Sequence, residues 1–157
     1  RRDSIEALLR QQDLTFSTRS RGEAPDANCT VYLADTLGEM DNWYAAAAIT
    51  FVGGSLSDDG GHTPYEPAAH GTAIVTGRKV ANFADRYARL AEAGAALFVT
   101  DAEELAFAFQ RLLDPTISAA QVGAAREVLF AGSGPDVEPI LDGIDRLAAL
   151  PANTHGQ

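Results

Sequence analysis

A chain of 157 residues has about the length of one domain, and folding at that length buries roughly two-thirds of the surface that the unfolded chain exposes, enough for one sizeable core. With 46% hydrophobic and 22% charged residues, the composition is that of an ordinary globular protein and excludes a disordered tail or a fibrous chain. Twelve Lys and Arg against 22 Asp and Glu leave a net charge of −10, which repels phosphate backbones and anionic lipid, so nucleic acid and direct membrane adsorption are poor matches. Cys29 is the only cysteine; it supplies no disulfide framework and no Cys-rich zinc site, and it suits a reducing, cytosolic setting.

In chain order, residues 3–12 place apolar side chains at Ile5, Leu8 and Leu9 and predict an amphipathic helix. Leu14 to Thr18 is β-branched and aromatic and predicts a strand, followed by a polar loop from Arg19 to Asn28. Three short apolar runs come next, Val31–Ala34, Ile49–Val52 and Ala73–Thr76, each followed by a Gly-rich or Asp/Thr-rich turn and a helical pattern. Continuous apolar strands of this length are what a parallel sheet covered on both faces requires. Ala96–Val99 repeats the pattern, and Asp101 is a good N-cap for a helix over 102–113. Two further helices are expected at 118–131 and 136–149, split by Gly132-Ser133-Gly134-Pro135, with a frayed tail at 151–157.

The longest apolar run, Tyr44 to Gly54, falls well short of the roughly 20 residues of a membrane-spanning helix; it reads as a buried helix end entering a strand. No signal peptide opens the chain, which begins Arg1-Arg2-Asp3-Ser4. A start without methionine, in what reads as mid-helix, predicts an excised piece of a longer protein. Five β-α units in series predict an α/β fold, a doubly wound, Rossmann-like parallel sheet forming one domain over residues 1–150. Ligands of such sheets sit beyond the carboxyl ends of the strands, which directs attention to the loops after Ala34, Val52 and Thr76.

The common nucleotide fingerprints are missing. No G-x-G-x-x-G follows a strand, and Gly77-Arg78-Lys79 lacks the leading glycine and the Ser/Thr of a P-loop. Instead, Asp35-Thr36-Leu37-Gly38-Glu39-Met40, Gly53-Gly54-Ser55-Leu56 and Gly60-Gly61-His62-Thr63-Pro64-Tyr65-Glu66-Pro67 follow successive strands. The last has the form of a helix start, with glycines, a Thr able to cap and a Pro suited to the first turn. N–H groups at such a start can hold a phosphate without a lysine. Glu66, placed one turn into that helix, can accept both hydroxyls of a ribose. The same residues also fit turn glycines, a cap and a surface acid with no ligand at all. Asp35 and Thr36 read first as a helix cap. Trp43 and Tyr44 read as core, His70 as an exposed helix end, and the acids Asp101, Glu103 and Glu104 as first-turn charges. Ser57-Asp58-Asp59 reads as a loop tip. The three histidines, His62, His70 and His155, show no metal-ligand spacing, so no metal is expected.

The runs VYLADTLGEM (31–40), FVGGSL (51–56) and GGHTPYEPAAHG (60–71) closely resemble the carboxy-terminal domain of the 3-deoxy-D-manno-octulosonic acid (Kdo) transferases. The similarity continues through SRGEAPDA (20–27), Asn82-Phe83 and GAALFVTDAEEL (94–105) and covers nearly the whole chain. The resemblance implies the carboxy-terminal half of a GT-B glycosyltransferase that binds the donor CMP-Kdo and transfers Kdo, with inversion, to a lipid A precursor in lipopolysaccharide assembly. It implies no cofactor and no metal. The base, the lipid acceptor site and the membrane contact would belong to an amino-terminal domain outside this chain, in a full-length protein at the cytoplasmic face of the bacterial inner membrane; this fragment alone would be soluble and inactive.

Residue by residue, Glu66 would hold the cytidine ribose, and Gly61, His62 and Thr63 would meet the phosphate or the sugar acid. Gly38, Glu39 and Met40 would border the nucleotide, and Gly54 and Ser55 match the GGS turn. Thr63 departs from the family's usual Asn. Two alternatives stay open: a nucleotide-binding module without turnover, and a GT-B enzyme for another sugar nucleotide. A purely structural domain would bind no nucleotide.

Overall fold

Helices and strands alternate through the order α1 (Arg2–Gln11), β1 (Phe16–Thr18), β2 (Val31–Leu33), α2 (Met40–Ala46), β3 (Ile49–Val52), α3 (Tyr65–His70), β4 (Ala73–Gly77), α4 (Ala84–Glu92), β5 (Leu97–Val99), α5 (Ala102–Leu112) and α6 (Pro115–Phe130). The structure, a computed structural model, describes residues 1–130. The expected helix at 136–149, the Gly132–Pro135 break, the 151–157 tail and His155 lie outside the described residues. All five strands are parallel, as the alternation predicts, and form two ladders, β1-β2 and β3-β4-β5. The chain divides into two compact units, Arg1–Trp43 and the part from Tyr44 onward.

In the amino-terminal unit, Phe16, Ser17 and Thr18 pair with Val31, Tyr32 and Leu33. The side chain that α1 buries is not an apolar one. Glu6 is 2% exposed, whereas of the expected apolar face only Leu9 is half-buried and Ile5 and Leu8 remain 40% and 57% exposed. A carboxylate is tolerated inside only when it is paired and hydrogen-bonded. Glu6 meets that condition by accepting from Arg10 at 2.9 Å, Arg21 at 2.7 Å and the Thr18 hydroxyl at 3.2 Å. These bonds tie α1 to the end of β1 and to the short 3₁₀ turn Arg19–Arg21. Tyr32 and Trp43 pack with ring centroids 5.4 Å apart.

In the carboxy-terminal unit β4 is the central strand and all five of its residues are buried. Its side chains alternate between two cores, as the strand period of two requires. Ile74, with Val52, packs against Ala68 of α3, Tyr87 and Leu90 of α4 and Ala125 and Leu129 of α6. Ala73 and Val75, with Val99, pack against Ala108 and Leu112 of α5. This two-sided cover explains why these strands read as unbroken apolar runs. At the start of β4 the Ile74 N–H donates to the buried Gln121 side-chain oxygen on α6 at 2.8 Å. Asp101 caps α5 as predicted, accepting from Glu103 and Glu104 N–H at 2.9 Å each. The alanine run after Tyr44 differs from expectation, since Ala45, Ala46 and Ala48 are exposed. No helix among the described residues is long and apolar enough to cross a membrane.

Leu90 is 0% exposed and Phe107 is 70% exposed. Leu90→Ala is therefore expected to lower unfolding free energy by about 2–5 kcal/mol, and Phe107→Ala to change it by no more than about 0.5 kcal/mol, both read from urea midpoints.

Candidate functional site

The carboxyl ends of β3 and β4 are joined by one side chain. Ser55 is 0% exposed, and its hydroxyl donates to Val52 C=O at 2.6 Å and accepts the Gly77 N–H at 2.8 Å. The approach is so close that a Cβ on Gly77 would lie 2.0 Å from Ser55 O, so only glycine fits. Ser55 C=O then accepts the Lys79 N–H at 3.0 Å. The Ser55 side chain, expected at the ligand, is thus spent on bracing the two strand ends.

Between β3 and α3 the chain forms a closed loop. Gly61 N–H donates to Gly54 C=O at 2.8 Å. Gly61 has φ +75° and its Cα hydrogen faces the Lys79–Val80 backbone, where a Cβ would sit 3.2 Å from Lys79 O. The Asn82 amide donates to Asp59 C=O at 3.0 Å and to Gly61 C=O at 3.2 Å, while the Asn82 N–H reaches Gly60 C=O at 2.9 Å. The Tyr87 hydroxyl donates to His62 C=O at 2.9 Å. Tyr87 is 1% exposed, and burial pushes its phenol up to about 12. The loop is held from behind, and the His62 side chain is left exposed next to Gly54.

The helix that follows is short. α3 runs only Tyr65–His70, under two turns, so its dipole contributes less than the motif suggests. Thr63 Oγ1 accepts the Tyr65 N–H at 3.3 Å, a bond within the turn before the helix; the N-cap itself is Pro64, whose side chain has no group to cap with, so Thr63 stands one residue short of the capping role expected of it. Pro64 and Pro67 have no N–H. Among the described residues the N–H groups of His62, Thr63 and Glu66 have no intramolecular acceptor. Glu66 sits in the first turn, nearer the helix start than the motif implied. It is exposed, with no hydrogen bond or ion pair among the described residues. Burial, with a smaller push from the Glu66 charge, raises the Tyr44 phenol, and Tyr44 stacks on His70 at 5.9 Å. Gly54, His62, Thr63 and Glu66 therefore lie on one loop and turn of the carboxy-terminal unit, while Gly61 is buried behind them with its N–H spent on Gly54 C=O.

Gly38, Glu39 and Met40 lie in the amino-terminal unit. Gly38 is exposed with φ +82°, and Met40, 51% exposed, opens α2. Glu39 is not free. The Arg19 guanidinium donates to it from Nε at 3.1 and 3.2 Å and from Nη2 at 2.6 Å, and the Thr36 hydroxyl donates to the same carboxylate. Asp35 does not cap α2, which starts five residues later; it accepts instead from the Ser20 N–H at 2.9 Å and hydroxyl at 2.6 Å. Among the described residues no three His, Cys, Asp or Glu side chains gather as a metal site.

The fold is that of a solved sugar-nucleotide domain. The crystal structure of the C-terminal CMP-Kdo binding domain of WaaA from Acinetobacter baumannii matches with a TM-score of 0.77 and 32% identity, over 82% of this chain and 67% of that one. The chain belongs to the Kdo transferase family. The 3-deoxy-D-manno-octulosonic acid transferase of Haemophilus influenzae is 37% identical over 129 residues, 81% of this chain and 30% of that protein. That of Bordetella pertussis is 39% identical over 134 residues, 84% of this chain and 31% of that protein. The chain thus spans under a third of the length of these curated relatives. No protein-family model matches it. The parallel α/β architecture expected from the sequence is that of the carboxy-terminal half of a GT-B Kdo transferase.

Sequence reasoning did not find the residues that shape the loop. Asn82 entered only through the family resemblance, and Tyr87, Gly77 and Arg19 carried no motif. Their partners stand 21 to 25 residues away for Asn82, Gly77 and Tyr87, and no local period marks such pairs.

The Arg19 bonds, and then that from Thr36, hold the Glu39 carboxyl down from its ordinary 4.5 to about 2. The folded state therefore binds this proton less readily than the unfolded state, so the clasp contributes fully above pH 4.5 and is lost as pH falls toward about 2. Melting temperatures of the wild type and Glu39→Gln are expected to differ most at neutral pH and to converge across that window.

Proposed function

We propose that this chain is the donor-binding half of an inverting glycosyltransferase that moves Kdo from CMP-Kdo to a lipid A precursor in lipopolysaccharide assembly. The observation that carries the reading is the pairing, on one surface, of an unengaged carboxylate with unpaired backbone donors. Glu66 is free to accept the two ribose hydroxyls of a cytidine, and the N–H groups of His62, Thr63 and Glu66 are free to receive its phosphate. The similarity to a domain described as CMP-Kdo binding supports the choice of nucleotide.

In this reading the chain stabilises the leaving group. As the glycosidic bond breaks, negative charge grows on the CMP phosphate, and N–H groups already fixed in place neutralise it without reorganising. Gly54, His62 and Thr63 form that cradle, and Ser55 and Gly61 brace it through their bonds to Gly77 and Gly54. No resident metal or cofactor takes part. The base and the lipid acceptor site belong to an amino-terminal domain of the whole protein, which works at the cytoplasmic face of the bacterial inner membrane. A net charge of −10 fits that division, because an acidic half leaves the phosphorylated lipid to a basic partner. A second reading, a module that binds the nucleotide without turnover, rests on the same free carboxylate and N–H groups, which can hold a ligand without a base.

Titration with CMP, UMP and AMP, followed by amide shifts in two-dimensional NMR, tests the assignment. CMP is expected to shift Gly54, Gly61, His62, Thr63 and Glu66, and a preference for UMP would move the reading to another sugar nucleotide. Glu66→Gln is expected to weaken CMP by about 1.5–3 kcal/mol with an unchanged melting temperature. An unchanged affinity removes Glu66 from the site. Kdo transfer by the 157-residue chain alone would reject the binding-only reading.

A further inference from the structure

Two adjacent cations, Arg78 and Lys79, follow β4 directly, and while the Lys79 backbone braces the cradle, neither cationic side chain takes part in it. Together with Gly60 and Asp58 they border a groove of about 630 Å³ floored by Tyr87 and Phe98, within the size of small-molecule sites, about 300–1,000 Å³. The groove adjoins the cradle, because Lys79 N–H is bound to Ser55 C=O at 3.0 Å and Gly60 C=O to Asn82 N–H at 2.9 Å. Lys79 Nζ lies 2.8 Å from Asp58 Oδ1 at the loop tip, where the Asp58 side chain is 94% exposed. Arg78 is exposed and makes no hydrogen bond or ion pair among the described residues. Arg78 also borders a second groove with Asp101, Glu103 and Glu104 yet pairs with none of them, and a guanidinium left without a carboxylate stands out in a chain with a net charge of −10.

Building on the donor-binding reading, we propose that Arg78 and Lys79 form the subsite for the carboxylate of the donor sugar, and that the Asp58 carboxylate occupies Lys79 until the donor displaces it. An octulosonic acid linked to CMP carries two separate anions, the phosphodiester and the sugar carboxylate. The cradle at His62, Thr63 and Glu66 offers donors for one of them and no cation for the other. A guanidinium matches a carboxylate in planar, two-point geometry, whereas the lysine acts as a point charge. When the sugar enters, Lys79 exchanges one carboxylate for another and stays paired, and Arg78 gains a partner. The exchange is inexpensive because the Lys79–Asp58 pair is exposed, and exposed pairs are weak. Releasing Asp58 also frees the Ser57–Asp59 tip at the entrance. The subsite selects an acidic sugar over a neutral one.

The test titrates the chain with Kdo in the presence of CMP and reads the amide signals of Gly77 to Asn82, with mannose and inorganic phosphate as controls. Kdo is expected to shift these signals and mannose to leave them in place. Arg78→Gln is expected to weaken Kdo about tenfold more than it weakens CMP, with Lys79→Gln as a second variant of the same sign. Asp58→Asn is expected to tighten Kdo by about two- to fivefold, because the competing carboxylate is gone. Unmoved signals with Kdo, equal shifts with phosphate, equal losses for Kdo and CMP in both cation variants, or a weaker Kdo complex in Asp58→Asn would each overturn the proposal. Failure of the donor-binding reading looks different. CMP would then leave His62 and Glu66 unshifted, while the Kdo arm still reports on Arg78.

Discussion

Where β3 and β4 end, one serine hydroxyl is wedged between two backbones. Ser55 donates to Val52 C=O and accepts the Gly77 N–H at a point where the chains pass so closely that no side chain fits on residue 77. Inside a protein such a hydroxyl is either fully bonded or costly, because its lost hydration is repaid nowhere else. Satisfied on both sides, it sets the separation of the strand ends and the direction in which both loops leave. The bond from Lys79 to Ser55, the Asn82 clamp and the Tyr87 bond to His62 all build on that spacing. The free N–H groups at His62, Thr63 and Glu66 are its outward product.

The same constraint explains how an acidic chain can be arranged for an anionic ligand. In the proposed donor site, phosphate recognition would rest on oriented backbone donors, which add no net charge, in place of a lysine-rich loop. The short α3, with prolines at 64 and 67, limits those donors to a few, so the shape of the loop before the helix matters more than the helix dipole. The cationic side chains Arg78 and Lys79 border the neighbouring groove. Two glutamates in the motifs meet opposite fates. Glu39 is enclosed by Arg19 and Thr36, while Glu66 is left without a partner among the described residues.

The amino-terminal unit depends on charge to a degree that its composition does not suggest. Glu6 joins α1 to the end of β1 through the Thr18 hydroxyl, and two arginines complete its pairing. Such a cluster specifies one arrangement, because a carboxylate in that position has no other way to be satisfied. Apolar residues on the same helix can remain exposed without breaking the packing.

The parallel strands, their approximate limits, the Asp101 cap and the motif loops after β2 and β3 were all legible in the sequence, and so was the family. These features are written in local signals: apolar runs of four or five residues, turn glycines, and a side chain that reaches two or three residues along its own chain. The unread parts were decided by register. Ser55 became a brace because parallel pairing sets Val52 beside Thr76, which brings the next residues, 22 apart in the chain, into contact. Asp35 read as a cap, yet Ser20 lies against it. Glu6 carried no signal of burial in the sequence, and it is held inside because Arg21 and Thr18 come within reach. A residue's type and spacing determined what it could bond, and only the folded chain, by choosing which distant groups arrive within 3 Å, decided which of those bonds are made and which side chains remain for a ligand.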